Sequence, residues 1–267
     1  MSEKTETHKL VQAQFGPVAA AYTNSAGHAN YDALQILVNR VQPRSTDRVL
    51  DIATGAGHTA IAFAPYVSQV VAYDLTPQML EETARNATAK GVNNLTVQEG
   101  LAEALPYENG SFEIVTCRVA GHHFADVKRA VAEMARVTRP GGQVIVVDTT
   151  VPEDEVLDQE INYIEKQRDP SHVQNYRPSE WQKMFAEVGL KVTFVERDQY
   201  TDQGRMNFAN WTARMRTPAQ TVRELAQLFR QASPALQETL EIEISGDADE
   251  DIRFTLPKVT IIGTKEA

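Results

Sequence analysis

Two carboxylates, two glycines and a pair of adjacent histidines are the residues in this chain whose types and spacing could do chemistry. Asp51 lies in the apolar run Val49-Leu50-Asp51-Ile52, which breaks into Ala53-Thr54-Gly55-Ala56-Gly57-His58-Thr59. That pattern predicts a buried parallel strand, a tight loop, and a helix opening at His58 or Thr59. Gly55 and Gly57 allow backbone conformations closed to other residues and let a ligand approach the main chain. The new helix presents unpaired N–H groups beside them. Asp74 ends a second apolar run, residues 69 to 74, about 20 positions after the first glycine. A carboxylate there can accept from both hydroxyls of a ribose. His122 and His123 follow a third such run, where an imidazole could exchange a proton near neutral pH.

Two cofactors could use this turn. Gly55, Gly57 and Ala60 fit the G-x-G-x-x-G/A fingerprint of a dinucleotide site, with Asp74 as its ribose acid. S-adenosyl-L-methionine is the other, offering an ammonium, a carboxylate, a sulfonium, a ribose diol and an adenine. Asp51 separates them. Beside the glycine turn its charge repels a pyrophosphate, by about 1 kcal/mol at 4 Å in water and about 4 kcal/mol near a protein surface, and attracts an ammonium.

The segments VLDIATGAG (49 to 57), VVAYDLTPQML (70 to 80), EGLAEALPY (99 to 107), SFEIVTCRVAGHHF (111 to 124) and VTRPGGQVIVVD (137 to 148) occur in this order. Over residues 45 to 150 the chain therefore resembles the class I S-adenosylmethionine-dependent methyltransferases, in their ubiquinone/menaquinone-biosynthesis-like (methyltransferase type 11) branch. Ala53 departs from the usual first glycine, a mild change by size, and Leu101 stands where many relatives carry an aspartate. The resemblance implies a doubly wound, mainly parallel seven-stranded α/β sheet in the order 3-2-1-4-5-7-6, its last strand antiparallel. It also implies a cofactor set of Tyr22, Asp51, Ala53, Gly55, Gly57, Asp74, Leu75, Met79, Leu101, Ala102, Glu103 and Arg118. Adenine belongs near residues 100 to 103, where Glu103 either reaches its edge or is solvated. Asp74 is the ribose ligand or a cap for the helix from Pro77. His123, and after it His122, is the candidate general base. The implied reaction is methyl transfer to an O-, N- or C-nucleophile of a small-molecule acceptor. The alternatives are a nicotinamide-dependent oxidoreductase and a non-enzymatic S-adenosylmethionine-binding protein.

The elements that must position these residues follow from periodicity. Residues 8 to 24 read as an amphipathic helix broken at Gly16-Pro17, a lid that brings Phe15 and Tyr22 over the cofactor by family analogy. Further helices are expected over 32 to 41, 77 to 90 and 126 to 138, the last stopped by Pro140-Gly141-Gly142, and strands over 95 to 99, 112 to 117 and 143 to 148. The histidine neighbours are expected to point apart, so no metal site is assigned to them. Residues 151 to 188 suggest two helices, with His172, Tyr176 and Arg177 as acceptor contacts or solvated loop residues. A strand over 190 to 197, helices over 206 to 215 and 221 to 231, a hairpin of 240 to 245 with 252 to 256, and a last strand over 259 to 263 complete the reading. The acidic turn 247 to 251 lacks a full calcium-loop pattern.

With 267 residues, the chain is expected to be one methyltransferase domain: a lid (1 to 44), a cofactor core (45 to 150), acceptor-side insertions (151 to 256) and the last strand (257 to 267). A net charge of −10 argues against nucleic acid as a partner. Cys117 is the one cysteine, which excludes an internal disulfide and fits a reducing, cytoplasmic compartment. The polar start MSEKTETHKL shows no signal sequence, and no run is apolar enough for an integral membrane segment. Homo-oligomerisation is left open.

Overall fold

The computed structural model describes residues 3–23, 30–200 and 204–266. A seven-stranded sheet runs in the order β3-β2-β1-β4-β5-β10-β6. Its strands are β1 (Arg48–Ile52), β2 (Gln69–Asp74), β3 (Leu95–Glu99), β4 (Phe112–Arg118), β5 (Thr138–Thr149), β6 (Leu190–Tyr200) and β10 (Leu256–Lys265). The first five pair in parallel, while β10 is antiparallel to both β5 and β6. The expected order is therefore the observed one, with β10 as its antiparallel member.

Alternation along the central strands builds a core on each face. Val49, Val70, Ala72, Ile145 and Val147 face α3 (Tyr31–Val41) and α4 (His58–Phe63). Leu50, Val71, Tyr73, Val144 and Val146 face α6 (Val127–Val137) and α8 (Pro178–Glu187). Because β1 and β4 are buried on both sides, their carboxyl ends, with Asp51 and Arg118, open at one edge of a rigid sheet. A cleft belongs there in an open α/β fold.

The lid is α1 (Glu3–Phe15), a 3-10 turn over Gly16–Val18 and α2 (Ala19–Thr23), so the break falls at Gly16-Pro17 as expected. Asn24, at the end of the anticipated helix, lies outside the described residues. Between β2 and β3 lies α5 (Pro77–Ala89), and after β5 comes α7 (Glu155–Arg168).

The second half departs from expectation in three places. Thr138 passes directly from α6 into β5, and Pro140-Gly141-Gly142 is a bulge in that strand: Phe112 pairs with Thr138, and Ile114 already with Gln143. The helix expected from Met206 starts two residues later as α9 (Phe208–Arg214), because Asn207 caps it while Met206 and Asn207 form strand β7 against β9 (Ile252–Phe254). Before the hairpin, Ser233 and Pro234 start an unanticipated helix, α11 (Pro234–Thr239). It follows α10 (Ala219–Arg230) and leaves only Glu243–Ile244 as β8. These elements and α7 enclose a third core, in which Phe208, Trp211, Phe229 and Phe254 stack with ring centroids 4.9 to 6.0 Å apart. No helix among the described residues is long and apolar enough to cross a membrane.

Candidate active site

Two hollows meet at the carboxyl edge of the sheet. The first, about 980 Å³ with its open mouth, is lined by Tyr22, Asp51, Ala53, Gly55, Asp74, Leu75, Met79, Leu101, Ala102, Glu103 and Arg118. Gly57 is the one residue of the anticipated cofactor set that does not line it. Gly57 instead takes φ 82° as the cap of α4, and a Cβ there would press on Thr83, so its glycine is needed for close packing. Gly100 is needed similarly, since a Cβ would collide with the Tyr73 hydroxyl that donates to Leu101 O at 3.2 Å. Ala53 adopts φ 52°, a left-handed conformation that costs an L-residue about 1–2 kcal/mol, so the alanine is less mild than its size suggests.

Asp51 is 1 % exposed, and its carboxylate accepts from Thr54 Oγ1 (2.6 Å), Thr116 Oγ1 (2.7 Å) and Ala60 N (3.1 Å). It holds the loop to α4 and β4 as well as charging the hollow. Burial pushes its pKa up, against these hydrogen bonds and the charge of Arg118. Arg118 itself donates to Thr59 Oγ1 at 3.0 Å. Asp74 accepts from Gly55 N (2.9 Å) and Thr76 N (2.8 Å), so it organises the loop before α5 while facing the hollow. Burial raises it to about 6. Glu103 is neither solvated nor free: His8 of the lid lies 3.4 Å from Oε1, and Asp126 N donates to it at 3.3 Å.

The second hollow, about 500 Å³ with its mouth, lies between the lid, the ends of β4 and β5, α7 and α9. Phe15, Tyr22, Val119 and His123 line both hollows and form the boundary they share. Val119 holds φ 55°, an outlying conformation for a β-branched residue.

His122 and His123 share a 3-10 turn, and their rings are 4.1 Å apart rather than pointing away from each other. Both line the second hollow. His122 Nδ1 donates to Asp148 Oδ1 at 2.6 Å and its backbone N to Asp148 Oδ2 at 3.0 Å. His123 Nδ1 donates to Ser171 O at 3.1 Å, and Phe15 meets its ring edge-on at 4.9 Å. Burial and the neighbouring His122 charge push His123 down to about 4. Among the described residues no three His, Cys, Asp or Glu side chains could hold a metal ion.

Asp148 escaped the sequence reading. An acid ending a fifth buried run was the available signal, but its partner lies 26 residues earlier and the pairing exists only once β4 and β5 are side by side. His172, Tyr176 and Arg177 line neither hollow. His172 is buried against Asn162, Tyr176 packs on Trp181, and Arg177 pairs with Asp158 at 2.6 Å while its backbone N–H bonds Glu180 at the start of α8. They secure the insertion: His172 is buried, while Tyr176 and Arg177 are half-buried.

Comparison with known proteins gives the family and the fold. Residues 50–146 match the methyltransferase domain family model. The chain is 38 % identical over 251 residues to the uncharacterised methyltransferase YcgJ of Bacillus subtilis, covering 94 % of this chain and 97 % of that one. The crystal structure of YcgJ superposes with a TM-score of 0.82 over 88 % of this chain and 99 % of its own. A demethylmenaquinone methyltransferase of Deinococcus radiodurans is 41 % identical over 111 residues, 40 % of this chain and 45 % of that protein. At 16 % identity, phosphoethanolamine N-methyltransferase 2 of Haemonchus contortus, solved with phosphomonomethylethanolamine and S-adenosylhomocysteine, shares the fold. Its TM-score is 0.60 over 88 % of this chain and 53 % of that one. Fold, strand order and near-full-length kinship agree with the resemblance read from the five segments, and the chain belongs to the class I S-adenosylmethionine-dependent methyltransferases.

Proposed function

We propose that the chain transfers the methyl group of S-adenosyl-L-methionine to a small-molecule acceptor held in the second hollow. The observation that carries this is the boundary of Phe15, Tyr22, Val119 and His123, at which an acid-and-glycine cleft adjoins a partly apolar chamber. The cleft residues fit the cofactor. Asp74 retains lone pairs for two ribose hydroxyls beyond its two backbone bonds. The opposite charges of Asp51 and Arg118 suit an amino-acid end, and Leu101, Ala102 and Met79 supply an apolar bed for adenine. When bound, S-adenosylmethionine supplies a methyl already activated on a sulfonium. The work left to the protein is alignment, exclusion of water and care of any proton released.

The lid supports sequestration: Gln12 Nε2 donates to Leu75 O (2.9 Å) and His58 Nε2 lies 3.0 Å from Tyr22 O. A net charge of −10 favours a small acceptor over a polyanion, and the buried Cys117 suits a reducing cytoplasm. S-adenosylmethionine and S-adenosylhomocysteine are expected to raise the melting temperature. At 100 times Kd the added stability is about 2.7 kcal/mol, while NADH and NADPH have no effect. A shift with NADH alone would overturn the assignment.

A further inference from the structure

We propose that His122, held by Asp148 as its positioning residue, is the proton acceptor of this site, and that the methyl acceptor is therefore protic: a hydroxyl, N–H or acidic C–H compound. This rests on the methyl-transfer reading above and deepens it. Asp148 is fully buried and grips His122 twice, at ring Nδ1 and at backbone N–H, so turn and ring are fixed together. A carboxylate can only accept, which places the imidazole hydrogen on Nδ1 and leaves Nε2 as the free lone pair. Thr149 Oγ1, 3.4 Å from Nδ1, donates its own hydrogen to Asn175 Oδ1 at 2.6 Å and so can only accept from the ring as well. No hydrogen bond among the described residues engages Nε2, and His122 lines the second hollow. Gly121 makes the arrangement fit, since a Cβ there would meet Asp148 Oδ2 at 2.8 Å and Trp181 at 2.9 Å.

The groups around His122 favour the same assignment. From β5 come Asp148 and Thr149, from α7 and the loop after it Glu165, Arg168, Asp169 and His172, and from its own turn His123. Arg168 is paired with Glu165 at 3.2 Å. Burial pulls the His122 pKa down, but Asp148, Glu165 and Asp169 outweigh it and leave it above its ordinary value. His123, pushed down to about 4 with its Nδ1 hydrogen given to Ser171, is the weaker base of the two. In the transfer, the acceptor's X–H bond gives its proton to Nε2 and the X–CH₃ bond forms. The methyl–sulfur bond breaks with its electron pair left on sulfur. The positive charge passes from sulfonium to imidazolium, opposite Asp148, and the proton leaves to water with the product. An acceptor without a proton to lose, such as a tertiary amine or a thioether, has no use for this pair.

The tautomer and titration can be read on the complex with S-adenosylhomocysteine by NMR of ¹⁵N,¹³C-histidine protein, with His122→Gln assigning the signal. The neutral ring is expected to carry hydrogen on Nδ1 and to titrate above the ordinary imidazole range, and Asp148→Asn is expected to move its midpoint down. Hydrogen on Nε2 in the unmutated protein overturns the proposal, even if Asp148→Asn fails to fold. Methyl transfer is then assayed with catechol and aniline against N,N-dimethylaniline and thioanisole. Transfer to the protic pair should fall about 10²-fold or more in His122→Gln. In Asp148→Asn the acidic limb should move to lower pH. Transfer to the protic pair at a rate indifferent to His122→Gln also overturns the proposal. Failure of S-adenosylhomocysteine to bind would instead sink the methyltransferase reading itself, so the two failures are distinguishable.

Discussion

Asp74 does two jobs with one carboxylate: it ties Gly55 and Thr76 together and faces the first hollow. Its folded pKa is raised by burial to about 6, so the charged form costs stability above that pH, and the cost fades as pH falls toward the unfolded value of 3.8. A ribose diol donates hydrogen bonds and needs the charged form. Affinity for S-adenosylhomocysteine is therefore expected to weaken below pH 6, approaching about tenfold per unit, and Asp74→Asn should be weaker throughout without that limb. Calorimetric titration across pH decides it, and a wild-type profile flat from 7 to 5 removes Asp74 from the ribose. At this scale the sequence was legible wherever chemistry is local. Asp51, Gly55 and Asp74 are announced by their own neighbours, whereas Asp148 and Val119 acquire meaning only from β4 lying beside β5. Ala53 shows the limit from the other side, because its size was readable and its positive φ was not.

The lid is an element held from both ends. On the side of the second hollow Arg216 Nη2 donates to Ala13 O (3.0 Å) and Gln14 O (3.2 Å) near the end of α1, and Gln14 Nε2 donates back to Met215 O (2.6 Å). Charged donors on carbonyl groups are worth about 1.5–3 kcal/mol. Loss of this clasp should therefore speed lid opening: Arg216→Ala is expected to release S-adenosylhomocysteine about tenfold faster, seen by stopped-flow fluorescence. An unchanged off-rate would mean that release does not pass under α1. The break in the lid was readable because proline and glycine act locally. The clasp was not, since it joins residues about 200 positions apart. Helix α11 was missed for a different reason: Ser233-Pro234 is a sound start signal, but six residues are too few for periodicity to speak.

At the scale of the molecule, a sheet with a core on each face carries a third core of its own around Phe208, Trp211, Phe229 and Phe254. Phe229 touches three of the stacked rings, and Phe229→Ala should cost about 3–5 kcal/mol. Hydrogen exchange is expected to rise across residues 204 to 256 and, through the Arg216 clasp, across α1, while β1, β2 and α4 stay protected. A uniform rise would show that all three cores open as one unit. The same construction predicts how the two proposed ligands bear on each other. Phe15, Tyr22, Val119 and His123 face both hollows, so whatever fills one becomes part of the wall of the other. The acceptor should then be held more tightly by the loaded protein than by the empty one, and the donor tightened by the same factor in return, because a coupling free energy has no direction.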